Sequence, residues 1–226
     1  MKEYAQDVLV IDADGHGGPT TANRYLPKKF HDRVGWVDDP TGIPRPGGKW
    51  GRMLIEGRPM PKGKGTKVGF QGPASAGPWK EYGLRRGEYD PKARLDDMDL
   101  EGIDVTVLFF GLSQAGLKDK EYAVASCRAS NDAYAADYCS IDGARLKATA
   151  ALPLQDVKAS VRELDRAVTK LGFVGACAPT NVRGKNLAHK DFWPLFEEAE
   201  RLNVPVCFHI GPGTSPGIKE AGMERL

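Results

Sequence analysis

The chain has little cysteine, little histidine and no long apolar run, and each shortage closes off a class of protein. Its four cysteines, at 127, 139, 177 and 207, form no Cys-x-x-Cys pair. Neither a disulfide framework nor a thiolate zinc knuckle is therefore expected, and the cysteines read as small core residues. No apolar stretch approaches the roughly 18 residues of a membrane span. The start MKEYAQDV has no apolar signal core, which points to a cytoplasmic protein without a membrane partner. Charge of one sign is missing too: 32 basic and 30 acidic residues, mixed along the chain, leave a net +2. No nucleic-acid surface is indicated.

What is present is a single-domain core and a regular alternation. The 226 residues are 41% hydrophobic, enough for one domain. Strand-like runs at about 8–15, 105–110, 147–152, 173–178 and 204–209 take turns with helix-like runs, the pattern of a parallel sheet. Asp90-Pro91 and Asp156 supply helix starts, and Gly102 and Gly172 supply stops. Between those last two signals Val157, Val161, Leu164, Val168 and Leu171 repeat at helical spacing. A longer helix is expected over about 119–141, and Asp191 is the expected cap of a helix carrying Phe192, Leu195, Phe196, Ala199 and Leu202. Five strands with right-handed crossovers give an α/β fold of the (β/α)8 TIM-barrel type, incomplete by about three strand-helix units. The whole chain, 1–226, reads as one such partial domain. The run Ile218 to Leu226 looks like a helix without a stop, which favours truncation.

Residues 17–90 interrupt the alternation after the first strand. They are densest in glycine and proline from Gly42 to Pro78 and read as an irregular insertion on the catalytic face. Arg52 and Arg58 lie within it, and a guanidinium there is a candidate clamp for a substrate carboxylate.

The candidate chemistry sits at two strand ends. Asp12, Asp14 and His16 alternate along the first strand, so all three are expected to share one face. His209 closes the last strand, at the carboxyl end where barrel enzymes place catalytic groups. Asp14, His16 and His209 together match three protein ligands to a divalent ion, zinc first and manganese as the alternative. Asp12 is read as a partner that bonds nearby backbone or orients His16, not as a ligand. His31 and His189 lie in polar, lysine-flanked loops and are expected to be solvated.

Four stretches carry a resemblance: Val10 to His16; Tyr25 to Phe30; Arg94 to Asp99 running into Gly102-Ile103-Asp104; and Phe192 to Phe196 leading to Pro205 through His209. In order and spacing they resemble the amidohydrolase-related family, in the branch that includes aminocarboxymuconate-semialdehyde decarboxylase and the resorcylate-type decarboxylases. The resemblance implies that the family's first-strand metal pair falls on Asp14 and His16 and its fifth-strand histidine on His209. The family's further histidine after the sixth strand and aspartate after the eighth have no counterpart in these residues. It also implies a metal-dependent hydrolase or non-oxidative decarboxylase acting on a small unsaturated or aromatic carboxylic acid. The alternative is a catalytically inactive, truncated barrel serving as an interaction or assembly subunit. An open sheet edge further predicts a homodimer.

Overall fold

The computed structural model describes residues 8–18, 21–45, 49–59, 86–109, 114 and 116–209. The C-terminal run at 218–226 and the insertion between 60 and 85 lie outside the described residues. The main sheet contains β1 (Ile11–Gly15), β5 (Val105–Leu108), β6 (Leu146–Ala151), β7 (Gly175–Ala178) and β10 (Val206–Phe208). They lie side by side in that order, all pairs parallel. The crossovers are α1 (Pro91–Glu101), α2 (Lys120–Asp137), α3 (Val157–Leu171) and α4 (Trp193–Leu202). This is the repeating βα unit of a (β/α)8 barrel, with five of its strands. No helix among the described residues is long and apolar enough to cross a membrane.

The helices start and stop for local reasons. Asp90 accepts hydrogen bonds from the amides of Lys92 and Ala93, Pro91 needs no partner at the first position, and Gly102 closes α1 at φ 76°. Asp156 accepts from the Ala159 amide, and Gly172 closes α3 at φ 74°. Alternate residues of β6, Leu146, Ala148 and Ala150, face the helices and are buried with Leu108, Leu164, Ala176 and Leu195 in the main core. Each fully buried leucine contributes about 1.5–3 kcal/mol. A polar network is buried between α2 and α3. Asn131 bonds the Ala151 backbone in both directions, at 3.0 and 2.9 Å, and donates to Glu163 at 2.7 Å. Arg166 closes the network onto Glu163 and Asp132.

Three local expectations change. The helix expected over 119–141 ends at Asp137, and Cys139–Ile141 is a separate 3-10 turn. Asp191 does not cap α4. The chain first makes a 3-10 turn, Lys190–Phe192, capped by His189, whose Nδ1 accepts from the Asp191 amide, while the Asp191 carboxylate pairs with Lys185 at 2.5 Å. His189 and His31 both stay exposed, as expected, His189 while capping this turn and His31 while bonded through Nε2 to the Leu26 carbonyl at 2.8 Å.

The third change concerns the insertion, part of which is regular. β2 (Trp36–Arg45), β3 (Lys49–Ile55) and β4 (Arg58–Pro59) form an antiparallel sheet with β3 in the centre. β2 contains Pro40 and Pro44, and it is an edge of this sheet, where a missing amide donor is tolerated. Glu56, at the β3–β4 turn, accepts from the amides of Lys118 and Asp119, and Arg33 bonds the Asp119 carboxylate at 2.6 Å. These bonds tie the hairpin to the start of α2, at the carboxyl end of β5.

Candidate metal centre

β1 and β5 stay in register from Ile11↔Val105 to Asp12↔Thr106, then slip, so that Gly15 pairs with Leu108. The bulge reverses the facing of the residues beyond it. Asp12 consequently faces the helix layer beside Thr106, and Asp14 and His16 do not share its face. The Asp12 carboxylate accepts from the Thr106 hydroxyl at 2.7 Å and from the Asp14 amide at 3.1 Å. Strict alternation, which puts all three residues on one face, fails at this bulge. The reading of Asp12 as a backbone partner agrees with these bonds.

Past the bulge, Asp14 and His16 meet His209, which follows β10. The three residues each offer a ligand atom within 4.8 Å of the others. His209 Nε2 stands 3.0 Å from Asp14 Oδ1, and the two imidazole rings meet edge to face at 5.0 Å between centroids. His16 Nδ1 lies 2.8 Å from the Asp14 carbonyl oxygen. That bond places a proton on Nδ1 and leaves Nε2 as the free lone pair. Ligands at about 2.1 Å from an ion stand about 3–4 Å apart, so the triad closes on a cation with small side-chain rotations. Two imidazoles and one carboxylate suit a borderline or moderately hard divalent metal. The side chains of Asp14 and His16 are 68% and 58% exposed, against 21% for His209, so the site is open to an incoming ion and substrate.

The loop behind His16 is held from three sides that motif reading did not assign. The Arg94 guanidinium donates to the His16 carbonyl, the Tyr134 hydroxyl donates to the Gly17 carbonyl, and the Gly18 amide donates to the Glu88 carbonyl at 2.6 Å. Gly17 and Gly18 sit at φ 119° and 145°, and a Cβ on Gly18 would overlap the Tyr134 ring. The run of glycines after Asp14 was the one signal for this packing. Burial, followed by the neighbouring Cys207 and Asp14, pushes the Cys177 thiol up to about 12. It stays protonated and behaves as core, not as a soft ligand. Arg52 is engaged inside the hairpin, its Nε donating to Asp39 at 2.7 Å, whereas Arg58 on β4 is exposed. Neither belongs to the triad.

The model of the amidohydrolase family matches residues 30–224. The chain belongs to the amidohydrolase family. This amidohydrolase chain is 37% identical over 117 residues to the decarboxylase orsB of Emericella nidulans, covering 51% of itself and 34% of that protein. To the gamma-resorcylate decarboxylase of Rhizobium radiobacter it is 34% identical over 138 residues, covering 58% of itself and 42% of that protein. It therefore spans about a third to two fifths of the length of these relatives. Among solved structures, an amidohydrolase from Mycobacterium avium subsp. paratuberculosis shares the fold, with a TM-score of 0.70 at 23% identity over 92% of this chain and 60% of that one. A dihydroxybenzoic acid decarboxylase from Polaromonas, with bound manganese and the inhibitor 2-nitroresorcinol, gives a TM-score of 0.54 at 28% identity, covering 68% of this chain and 48% of that one.

Proposed function

We propose that this chain carries the metal-binding part of a non-oxidative decarboxylase of small aromatic or unsaturated carboxylic acids, with Asp14, His16 and His209 as ligands to a divalent cation. The observation that carries the reading is the convergence of three ligand atoms within 4.8 Å at the carboxyl ends of β1 and β10. Similarity to proteins named as decarboxylases favours loss of carbon dioxide over hydrolysis. The donor set accepts zinc or manganese, and the manganese in the Polaromonas enzyme puts manganese first.

A divalent ion supplies Lewis-acid polarisation of a substrate oxygen and acidifies bound water toward a pKa of about 7. The protein's own contribution is orientation. Asp12 pins the Asp14 amide, and the Asp14 carbonyl fixes the His16 ring. The Phe109 ring, 5.8 Å from that of His209, offers an apolar face beside the site. An aromatic acid stacks there in this reading. Of the two candidate arginines, Arg58 keeps the exposed guanidinium that a carboxylate clamp requires. Decarboxylation replaces a C–C bond by a C–H bond and needs no redox partner. Self-association belongs to the same reading, because Val8, Leu9, Ile11 and Phe208 are exposed at the sheet edges.

The test is carbon dioxide release from 2,6-dihydroxybenzoate with added manganese, alongside metal content and mass by light scattering. Release that disappears in His209→Ala supports the proposal. A hydrolysed product without carbon dioxide moves the chain to the hydrolases, and failure to bind any metal stoichiometrically returns it to the non-catalytic reading.

A further inference from the structure

α1 and the turn after it grip β1 at both ends. At the start, the Asp104 carboxylate accepts from the Val10 amide at 2.9 Å, and the Asp104 amide donates to the Val10 carbonyl at 3.0 Å. At the far end, the Arg94 guanidinium donates to the His16 carbonyl, and its Nε lies 3.4 Å from the hydroxyl of the fully buried Tyr138. Arg166 and Arg201 pair with carboxylates, whereas Arg94 directs its donors to this carbonyl and this hydroxyl.

The sheet alone does not hold His16. β1 is an edge strand, paired among the described residues with β5 only. The Phe109 amide donates to the Gly15 carbonyl at 2.8 Å. Beyond that bond, the carbonyls of His16 and Gly17 accept from side chains, Arg94 on α1 and Tyr134 on α2. Gly17 and Gly18, at φ 119° and 145°, are the residues with the least restricted backbone, so the chain by itself does not fix the direction of the imidazole.

The same glycines let the donors in. A Cβ on Gly17 would stand 3.0 Å from Arg94 Nη2, and one on Gly18 would overlap the Tyr134 ring. Tyr134 is itself buried, and burial holds its phenol well above the usual value, so it remains a donor.

We infer that Arg94 and Tyr134 are positioning residues for the proposed metal centre: they clamp the carbonyls of His16 and Gly17 and so hold the His16 imidazole edge to face against that of His209, 5.0 Å away. The purpose of the clamp rests on the proposed function; its existence does not.

Proton NMR of the imidazole rings in the metal-free full chain tests it, with His16 signals assigned through His16→Ala. A nuclear Overhauser effect between the His16 and His209 rings is expected in the parent, and its loss in Arg94→Gln and in Tyr134→Phe. Arg94→Lys, which keeps the charge and one donor, should regain part of it. Arg145→Gln is the control and should keep the effect, because Arg145 also donates to backbone carbonyls, those of Ile103 and Asp104 at 2.8 and 3.0 Å, but at the amino end of the sheet. Manganese titration reads the consequence: binding about 10–100-fold weaker in Arg94→Gln and Tyr134→Phe, and unchanged in Arg145→Gln. Tyr134→Phe removes a single oxygen and decides the matter if Arg94→Gln does not fold. No ring contact in the parent, contact that survives in both variants, equal loss in Arg145→Gln, or parental manganese affinity in both variants overturns the inference. A parent that shows the ring contact but binds no manganese removes the proposed function instead, and the ring contact in the variants then decides the clamp.

Discussion

Replacing Asp12 by asparagine separates a residue that builds the proposed metal site from one that would ligate the metal. The Asp12 carboxylate holds the Asp14 amide at 3.1 Å and takes the Thr106 hydroxyl at 2.7 Å, and Thr106 is fully buried. An asparagine keeps the size but carries no charge. Its oxygen can still accept from the Asp14 amide and its Nδ2 donate to the Thr106 oxygen, yet bonds worth about 1.5–3 kcal/mol to a charged group fall toward the roughly 0.5–1.5 kcal/mol of neutral ones. Part of that loss falls on the bulge that turns Asp14 and His16 toward His209. Residues that orient ligands typically change metal affinity by about 10–100-fold, or about 1.4–2.7 kcal/mol. Competition of manganese against a chromophoric chelator should show one ion per chain in Asp12→Asn, bound 10–100-fold more weakly, with Thr106→Val shifted the same way by less. Unchanged affinity would show that Asp12 does not hold the bulge. Complete loss of binding, equal to that in His209→Ala, would make Asp12 a ligand and sink the placement on the helix side.

Asn131→Ala leaves the Ala151 amide and carbonyl without their side-chain partners in a fully buried site; urea denaturation should show a loss of about 2–4 kcal/mol. The Cys139 and Cys177 thiols are pushed up to about 11 and about 12, in both cases chiefly by burial. Their neutral forms favour the fold, a contribution fully present below the ordinary thiol value of about 8.5 and lost as pH rises through the folded values. Neither thiol should react rapidly with a disulfide reagent at pH 8, and fast labelling of the native chain would contradict this. The Arg33 guanidinium, with the Tyr122 amide behind it, holds the Asp119 carboxyl below the usual range. That anchor is present above the ordinary aspartate value near 3.9 and is lost as pH falls through the lower folded one. Proteolysis within 36–59 should therefore accelerate at acid pH and in Asp119→Asn at neutral pH.

How far the sequence could be read depended on how local each determinant is. Asp90-Pro91 through Gly102 and Asp156 through Gly172 are complete start and stop signals within one segment, and α1 and α3 begin and end where those residues place them. The five parallel strands were legible from apolar runs that need no long-range knowledge. The hairpin of β2 and β3 was not, because Pro40 and Pro44 forbid only a central strand, and which strand is an edge is a tertiary fact. The bulge after Asp12 was equally hidden: a period of two is the default, and only pairing with Thr106 and Leu108 reveals the slip. Arg94 and Tyr134 bond backbone carbonyls of the His16 loop across the fold, and carbonyl partners leave no side-chain motif to find.

If Asp14, His16 and His209 hold an ion as proposed, the position of His209 couples its binding to folding. β1 and β10 are the two edges of the sheet, separated by β5, β6 and β7, yet Asp14 Oδ1 and His209 Nε2 stand 3.0 Å apart. The sheet curls until its two edges face one another across the interior. An ion held by Asp14, His16 and His209 would cross-link those edges, which no backbone ladder joins among the described residues. Ligand binding confined to the folded state stabilises by about 2.7 kcal/mol at a free concentration 100 times Kd. In a chain of this size, 226 residues, that raises Tm by about 5–10 °C. Scanning calorimetry with manganese at that ratio should show the rise in the parent chain and its loss in His209→Ala, which removes the ligand from one edge alone. His16→Ala leaves a ligand on each edge and should retain part of the rise at higher manganese. An equal rise in the parent and His209→Ala would mean that the ion does not bridge the edges, and the triad would then not be the binding site.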